Sequence, residues 1–316
     1  MSEIRHRVIK VGDLEMRVAE AGEGPLVLLL HGFPECWYSW RHQLQALAEA
    51  GFHAVAPNQR GYPGTGGPDA VDEYTMLHLV GDAVGLIAAC GERSATVIGH
   101  DWGAPVAWHT ALLRPDLVRG IAALSVPHIR RGPTPTVAAL RERFGEDYYQ
   151  VYFQRPGVEA EFEADLTRTF RLLLTGLAGE NDLTLPPGGG GFLDLWRDPE
   201  TLPDWVSDAD VKAFADEFAG SGFTGPLNWY RNLDRNWALT AAWHDAPITP
   251  PALMLAGELD PTVSRFDPVR LERSMRAYIP NLQGLEMVPG AGHWLQQERP
   301  DLVNARLVDF VTSTSQ

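Results

Sequence analysis

Three side chains stand where a chain could perform covalent catalysis. The first is Asp101, in Val97-Ile98-Gly99-His100-Asp101-Trp102-Gly103. The apolar run from Ala95 to Ile98 reads as a buried strand, and the segment from Ala104 onward as a helix. The glycines between them flank a turn too tight for side chains, so the central residue is pushed out at the top of a sheet. This is the layout of a nucleophile elbow, with a carboxylate where that signature usually has serine. An aspartate there attacks an electrophilic carbon and becomes an ester itself.

Turnover of such an ester needs a base to activate water and a partner to hold the base. The base expected is His293, in Gly290-Ala-Gly-His-Trp294. The partner expected is Asp260, in Gly257-Glu-Leu-Asp-Pro261, with Glu258 as the weaker alternative. A lone histidine or aspartate after a strand is most often structural. Here nucleophile, acid and histidine follow three strand ends in the chain order of α/β hydrolases. The carboxyl ends of parallel strands are also where open α/β sheets place their sites.

Both halves of the chemistry require donors for a developing oxyanion. The backbone N–H of Trp102 is one. The second is expected from Phe33, in His31-Gly-Phe-Pro34, where Pro34 has no N–H to offer. His100 is read as packing, and His6, His53, His78, His109, His128 and His244 are assigned no role. Gly61-Tyr-Pro-Gly-Thr-Gly-Gly67 lacks the spacing and the acidic residue of a nucleotide fingerprint and reads as a loop.

The elements that must position these residues alternate strand and helix. Arg5 to Lys10 and Asp13 to Glu20 read as short strands, followed by the buried runs Pro25 to Leu30 and Phe52 to Pro57. Helical spacing occupies Trp40 to Ala50 and Tyr74 to Cys90, and a further strand runs from Arg119 to Val126. This is the mark of a mostly parallel sheet flanked by helices. After Pro127 the buried-strand runs stop. Thr136 to Phe144, Glu161 to Thr175 and Asp208 to Gly220 read as helices, and Pro186-Pro-Gly-Gly-Gly-Gly191 as a loop. Alternation resumes with a strand to Ala256, a helix from Pro268 to Tyr278, a strand over Leu285 to Val288 and a closing helix from Asp301 to Val311. The expected organisation is a core of residues 1–127 and 243–316 interrupted by a helical cap over 128–242.

Composition bounds the partners. The chain has 316 residues, 45% hydrophobic and 21% charged, with a formal net charge of −15, which disfavours nucleic acid and anionic membranes. Cys36 and Cys90 are expected as free thiols, with no metal spacing. No signal core and no membrane-length apolar run is visible, so a cytoplasmic protein is expected. Monomer and homodimer both remain open.

Several motifs together resemble one family. They are His31-Gly-Phe-Pro-Glu35 with Trp37-Tyr-Ser-Trp40, Gly99-His-Asp-Trp-Gly103, Tyr149-Gln-Val-Tyr-Phe-Gln154 with Pro156-Gly157, Gly225-Pro-Leu-Asn-Trp-Tyr-Arg-Asn232, and Gly292-His-Trp294. In these the chain resembles the soluble epoxide hydrolases of the α/β-hydrolase fold, over residues 25 to 312, without the N-terminal phosphatase domain of the larger mammalian members. The resemblance implies conversion of an epoxide and water to a vicinal diol, with no metal or organic cofactor. It also implies a pair of cap tyrosines on the epoxide oxygen. Motif matching gives Tyr152 and Tyr230, with Tyr148 and Tyr149 as nearby alternatives. Phe33, Trp102, Tyr152 and Tyr230 would then bind the substrate, and Phe33, Trp102 and Trp229 favour a hydrophobic or aryl-bearing epoxide. The alternative is a haloalkane dehalogenase with the same Asp101, Asp260 and His293, which would have no use for a proton-donating pair.

Overall fold

The computed structural model of the protein describes residues 3–179, 182–186 and 190–315. Most of the glycine run expected as a loop, residues 187–189, lies outside the described residues. Among the described residues eight strands form one sheet in the order β1-β2-β4-β3-β5-β6-β7-β8. They are β1 (Arg5–Val11), β2 (Leu14–Ala21), β3 (Leu26–Leu30), β4 (His53–Pro57), β5 (Ala95–His100), β6 (Val118–Leu124), β7 (Ala252–Gly257) and β8 (Leu282–Val288). β2 runs antiparallel to β1 and β4, and every pairing from β4 to β8 is parallel.

Continuous apolar runs make the central strands because both faces of the sheet are covered. Successive side chains point to opposite faces, so the strands feed two cores. Leu28, Val97 and Ile121 pack on one side with Leu86 and Val106, from α2 (Met76–Ala89) and α3 (Gly103–Leu113). Val27, Leu29 and Ile98 pack on the other with Leu44 of α1 (Arg41–Glu49) and with Leu307 and Phe310 near the C-terminus.

Between β6 and β7 the chain is largely helical. It forms α4 (Thr136–Phe144), α5 (Tyr149–Tyr152), α6 (Glu159–Glu163), α7 (Leu166–Gly176), α8 (Asp208–Phe218), α9 (Thr224–Arg231) and α10 (Leu233–Leu239). The single helix expected over Glu161 to Thr175 is two. Asp165 breaks it by adopting an extended backbone and accepting the Arg168 amide as an N-cap. The remaining helices are α11 (Pro268–Arg276), α12 (Leu295–Glu298) and α13 (Pro300–Thr314).

Charged and aromatic groups tie this helical segment to the sheet. Glu217 of α8 accepts from Arg17 at 2.8 Å and from the Trp37 indole at 3.0 Å. Asp210 accepts from the Tyr38 hydroxyl at 2.9 Å and pairs with Arg41 at 3.1 Å. The Phe33 ring, from the loop after β3, lies edge-on to Tyr230 with centroids 5.3 Å apart and also contacts Phe153, Phe162 and Phe223. Among the described residues no helix is long and apolar enough to cross a membrane.

Candidate active site

The strand order decides which loops meet. β3, β5, β6, β7 and β8 are successive neighbours, so the residues that follow them gather at one edge of the sheet. Asp101 follows β5 with φ of 47°, a left-handed conformation uncommon outside glycine. The turn is possible because Gly103 has no Cβ: one added there would meet the Leu30 carbonyl oxygen. Gly32 is constrained in the same way, since a Cβ on it would meet the Asp101 side chain itself.

The two oxygens of Asp101 have different neighbours. Oδ1 accepts the Phe33 amide at 2.7 Å, and the Trp102 amide also acts on the carboxylate. Oδ2 faces His293 Nε2 at 3.6 Å, too far for a direct hydrogen bond. On its other side His293 Nδ1 lies 3.2 Å from Asp260 Oδ1. Asp101, Asp260 and His293 are therefore brought together as expected, whereas Glu258 bonds the Gly290 amide at 3.1 Å and is not part of the cluster.

The acid is held by two residues that the sequence did not single out. Ser125, directly after β6 and also left-handed with φ of 73°, donates to Asp260 Oδ2 at 2.6 Å. Its hydroxyl lies 3.0 Å from His293 Nδ1. Thr262 contributes its hydroxyl at 2.8 Å and its amide at 2.9 Å to Asp260 Oδ1. Burial opposes ionisation of Asp260, but His293 and these donors hold its pKa below the usual carboxylate value. Asp101 is pushed up by burial, which outweighs the pull of His293, His100 and the two amides. His293 would be depressed by burial alone. Asp260 and Asp101 together raise it to about 9.

His100 is buried beneath the nucleophile, as its packing role required, but it is also polar in function. Its Nδ1 meets Glu35 Oε2 at 2.6 Å and its Nε2 meets the His293 carbonyl at 2.8 Å. Glu35 also accepts the Gly32 amide at 3.0 Å and Gln296 at 3.0 Å. With His100 beside it, its carboxyl falls to about 2 despite full burial. The loop carrying Phe33 is thus anchored to the back of the triad.

A cavity of about 650 Å³ opens in front of Asp101, between the sheet and the inserted helices. Tyr149, Tyr230 and Trp102 line it near the nucleophile. The Tyr149 and Tyr230 rings are 6.2 Å apart, and Tyr230 stands edge-on to Trp102 at 5.1 Å. Burial raises both phenols well above their ordinary pKa, and the Asp101 charge raises both further. Tyr148 also lines the cavity, stacked on Phe144 at 4.5 Å.

Tyr152 does not join this pair, and the motif-based expectation is corrected. Its hydroxyl donates to Glu161 Oε2 at 2.9 Å, while Glu161 Oε1 accepts the Leu193 amide at 2.6 Å. Glu161 thus pins Tyr152 to α6 and away from Asp101, and with burial pushes its pKa up to about 12. Tyr149, one turn earlier on α5, faces the cavity instead. His109 and His128, assigned no role from the sequence, also line it.

Comparisons with known proteins identify the family. The family model described as alpha/beta hydrolase fold matches residues 25–300. Epoxide hydrolase A of Mycobacterium tuberculosis is 44% identical over 315 residues, covering 97% of each chain. Epoxide hydrolase 3 of Siraitia grosvenorii is 40% identical over 316 residues, covering 98% of this chain and 99% of its own. The crystal structure of epoxide hydrolase A from Mycobacterium thermoresistibile superposes with a TM-score of 0.92 at 44% identity, covering 98% of both chains. An elbow aspartate facing a histidine–aspartate pair, under a cavity with two buried phenols, is therefore found in a chain that belongs to the epoxide hydrolases of the α/β-hydrolase fold.

Proposed function

We propose that this enzyme opens a small-molecule epoxide with Asp101 as nucleophile and Tyr149 and Tyr230 as the acid pair. The observation that carries this assignment is the asymmetry of Asp101. Oδ1 is occupied by the Phe33 amide, so Oδ2 is the oxygen free to attack. As its bond to the ring carbon forms, the carbon–oxygen bond of the epoxide breaks and the departing oxygen takes a proton from a phenol. Ester formation also removes the Asp101 charge. That charge is one of the causes raising both phenols, so they become better acids as the proton is needed.

The same loss of charge removes one cause of the raised His293 pKa. His293 passes its proton to the phenolate and becomes a base. It then takes a proton from water, and the hydroxide attacks Cγ of Asp101. Oδ1, now the ester carbonyl oxygen, develops the negative charge under the Phe33 and Trp102 amides. Collapse releases the diol oxygen, which takes the proton from His293. The new Asp101 carboxyl group returns its own proton to His293, restoring the resting state. The halide-releasing alternative is not favoured, because a halide leaves without a proton and gives the phenol pair no task.

As part of the same proposal, residues 128–242 act as the cap, and the enzyme works on a dissolved substrate in the cytoplasm as a monomer or homodimer. The net charge of −15 supports partners other than nucleic acid or anionic membrane. The direct test is diol formation from racemic styrene oxide and a panel of smaller and larger epoxides, with Asp101→Ala alongside. Diol from the wild type and none from the variant is expected. Absence of diol across the panel, with halide released from haloalkanes, would overturn the assignment.

A further inference from the structure

The cavity extends well past the reacting groups. Trp102, Pro105, His109 and Leu112 all line it, and their spacing of three and four residues places them on one face of α3. At 1.5 Å per residue, His109 lies about 9 Å along α3 from Gly103, the helix's first residue and the second after Asp101. The cavity wall is therefore a track that starts at the nucleophile and passes two imidazoles, His109 and His128.

Each imidazole has a hydrogen-bonding nitrogen left for a ligand. His109 Nδ1 lies 2.7 Å from the Pro105 carbonyl, which accepts but cannot donate. Nδ1 therefore carries the proton, and Nε2 of the neutral ring is a lone-pair acceptor. The His128 imidazole has no hydrogen-bond partner among the described residues: Tyr278 donates to its backbone carbonyl at 3.0 Å, and the ring is held only by packing. Its centroid is 6.0 Å from that of His109 and 5.4 Å from that of Tyr278. Both imidazoles are kept neutral, chiefly by burial; His128 is lowered to about 3.

We propose that His109 and His128 form a distal recognition site for a hydroxyl group on the epoxide's substituent, in the same cavity as Asp101 and about 9 Å along α3 from the turn that carries it. A hydroxyl suits both neighbours at once. It donates to His109 Nε2 and accepts from the N–H of His128, whose ring centroid lies 6.0 Å from that of His109. Arg130, Arg131, Arg143 and Arg265 also line the cavity and would attract a carboxylate, but a carboxylate brings no proton for the His109 lone pair and leaves that acceptor unmatched. An ammonium is disfavoured because the Arg130 guanidinium acts on His128, and Asp101 is the one carboxylate among the described residues lining the cavity. This inference rests on the epoxide-opening reading above.

The test uses two matched substrates, decene oxide and the same terminal epoxide with a hydroxyl on its far terminal carbon. The wild type is expected to favour the hydroxylated epoxide in kcat/KM by about tenfold, the worth of roughly one buried hydrogen bond. That ratio should fall to about one in His109→Leu and His128→Leu, and should persist in His109→Gln, which keeps an acceptor. A chain-length series on the wild type alone should show the preference only at lengths that reach the two rings, which covers the case of a variant that fails to fold. Equal kcat/KM for the matched pair, or a preference that survives loss of both imidazoles, overturns the inference while leaving the epoxide-opening reading standing. If the wild type forms diol from neither matched epoxide, this inference falls; the epoxide-opening reading falls with it only when the wider panel, styrene oxide included, also yields no diol.

Discussion

Phe33 donates its amide to Asp101 Oδ1 at 2.7 Å, so the nucleophile rests with one oxygen already in the site that later holds its oxyanion. The proposed cycle thereby fixes which oxygen goes where. In a single turnover in heavy-oxygen water, with enzyme in excess, the heavy oxygen should enter the Asp101 carboxylate, and the diol should carry none from solvent. Mass spectrometry of the peptide containing Asp101 and of the diol reads both. Label in the first-turnover diol would mean that water attacks the epoxide directly.

The phenol pair is separable from its near neighbour. Tyr149→Phe and Tyr230→Phe should each slow ester formation by about a hundredfold, the usual scale of general acid catalysis. Tyr152→Phe removes the bond to Glu161 and should cost about 1 kcal/mol of stability, with ester formation unchanged. Stopped-flow alkylation rates and denaturant midpoints measure the two effects. A Tyr152→Phe enzyme as slow as Tyr230→Phe would restore the motif-based pairing.

Ser125 should matter to the second half of the cycle and not the first. Its hydroxyl is a donor to a fully buried carboxylate, and hydrogen bonds to charged groups are worth about 1.5–3 kcal/mol. Ser125→Ala should slow ester hydrolysis roughly tenfold to a hundredfold, leaving the alkylation rate near that of the wild type. The alkylated protein should then accumulate in intact-mass spectra during turnover. Equal slowing of both halves would point instead to a general disturbance of the fold.

The triad also sets a pH dependence of stability. The folded His293 pKa is raised to about 9, against about 6.5 in an unfolded chain. Its stabilisation is fully present below about 6.5 and is lost as pH rises through about 9. Asp260 has the opposite sign: its lowered pKa adds stability above the usual carboxylate range, which is lost in acid. Asp101→Asn removes one carboxylate that raises His293, so the alkaline loss should move to lower pH. Denaturant midpoints across this window test it, and a variant curve superimposable on that of the wild type would contradict it.

The elbow and the triad were legible because strand ends are local features. A buried apolar run followed by Gly-His-Asp-Trp-Gly places Asp101 whatever the rest of the chain does, and the loops after β7 and β8 fall the same way. Tyr149 and Tyr152 were not separable by the same means. Three residues apart on one short helix, they project within about 60° of each other, and the choice is made by Glu161, a residue of the next helix that captures Tyr152. Ser125 gives no pattern at all, since a serine ending a strand looks like any turn residue. Its role exists only once β6 is placed beside β7. The division between α6 and α7 was readable in principle, because Asp165 is a good N-cap with its partner amide at Arg168.

Phe33 also couples the two parts of the molecule. Its amide belongs to the sheet side and touches Asp101, while its ring sits among aromatics of the inserted helices, against Tyr230. Were the inserted helices to move away from the sheet, that ring contact would shear and the phenols would withdraw, while the amide would stay with the nucleophile. Ring opening would then be confined to the molecule with these helices in place. Ester hydrolysis, which draws on Asp101, His293, Asp260 and two backbone amides, has no such requirement. An enzyme caught ajar would keep finishing turnovers it could no longer begin.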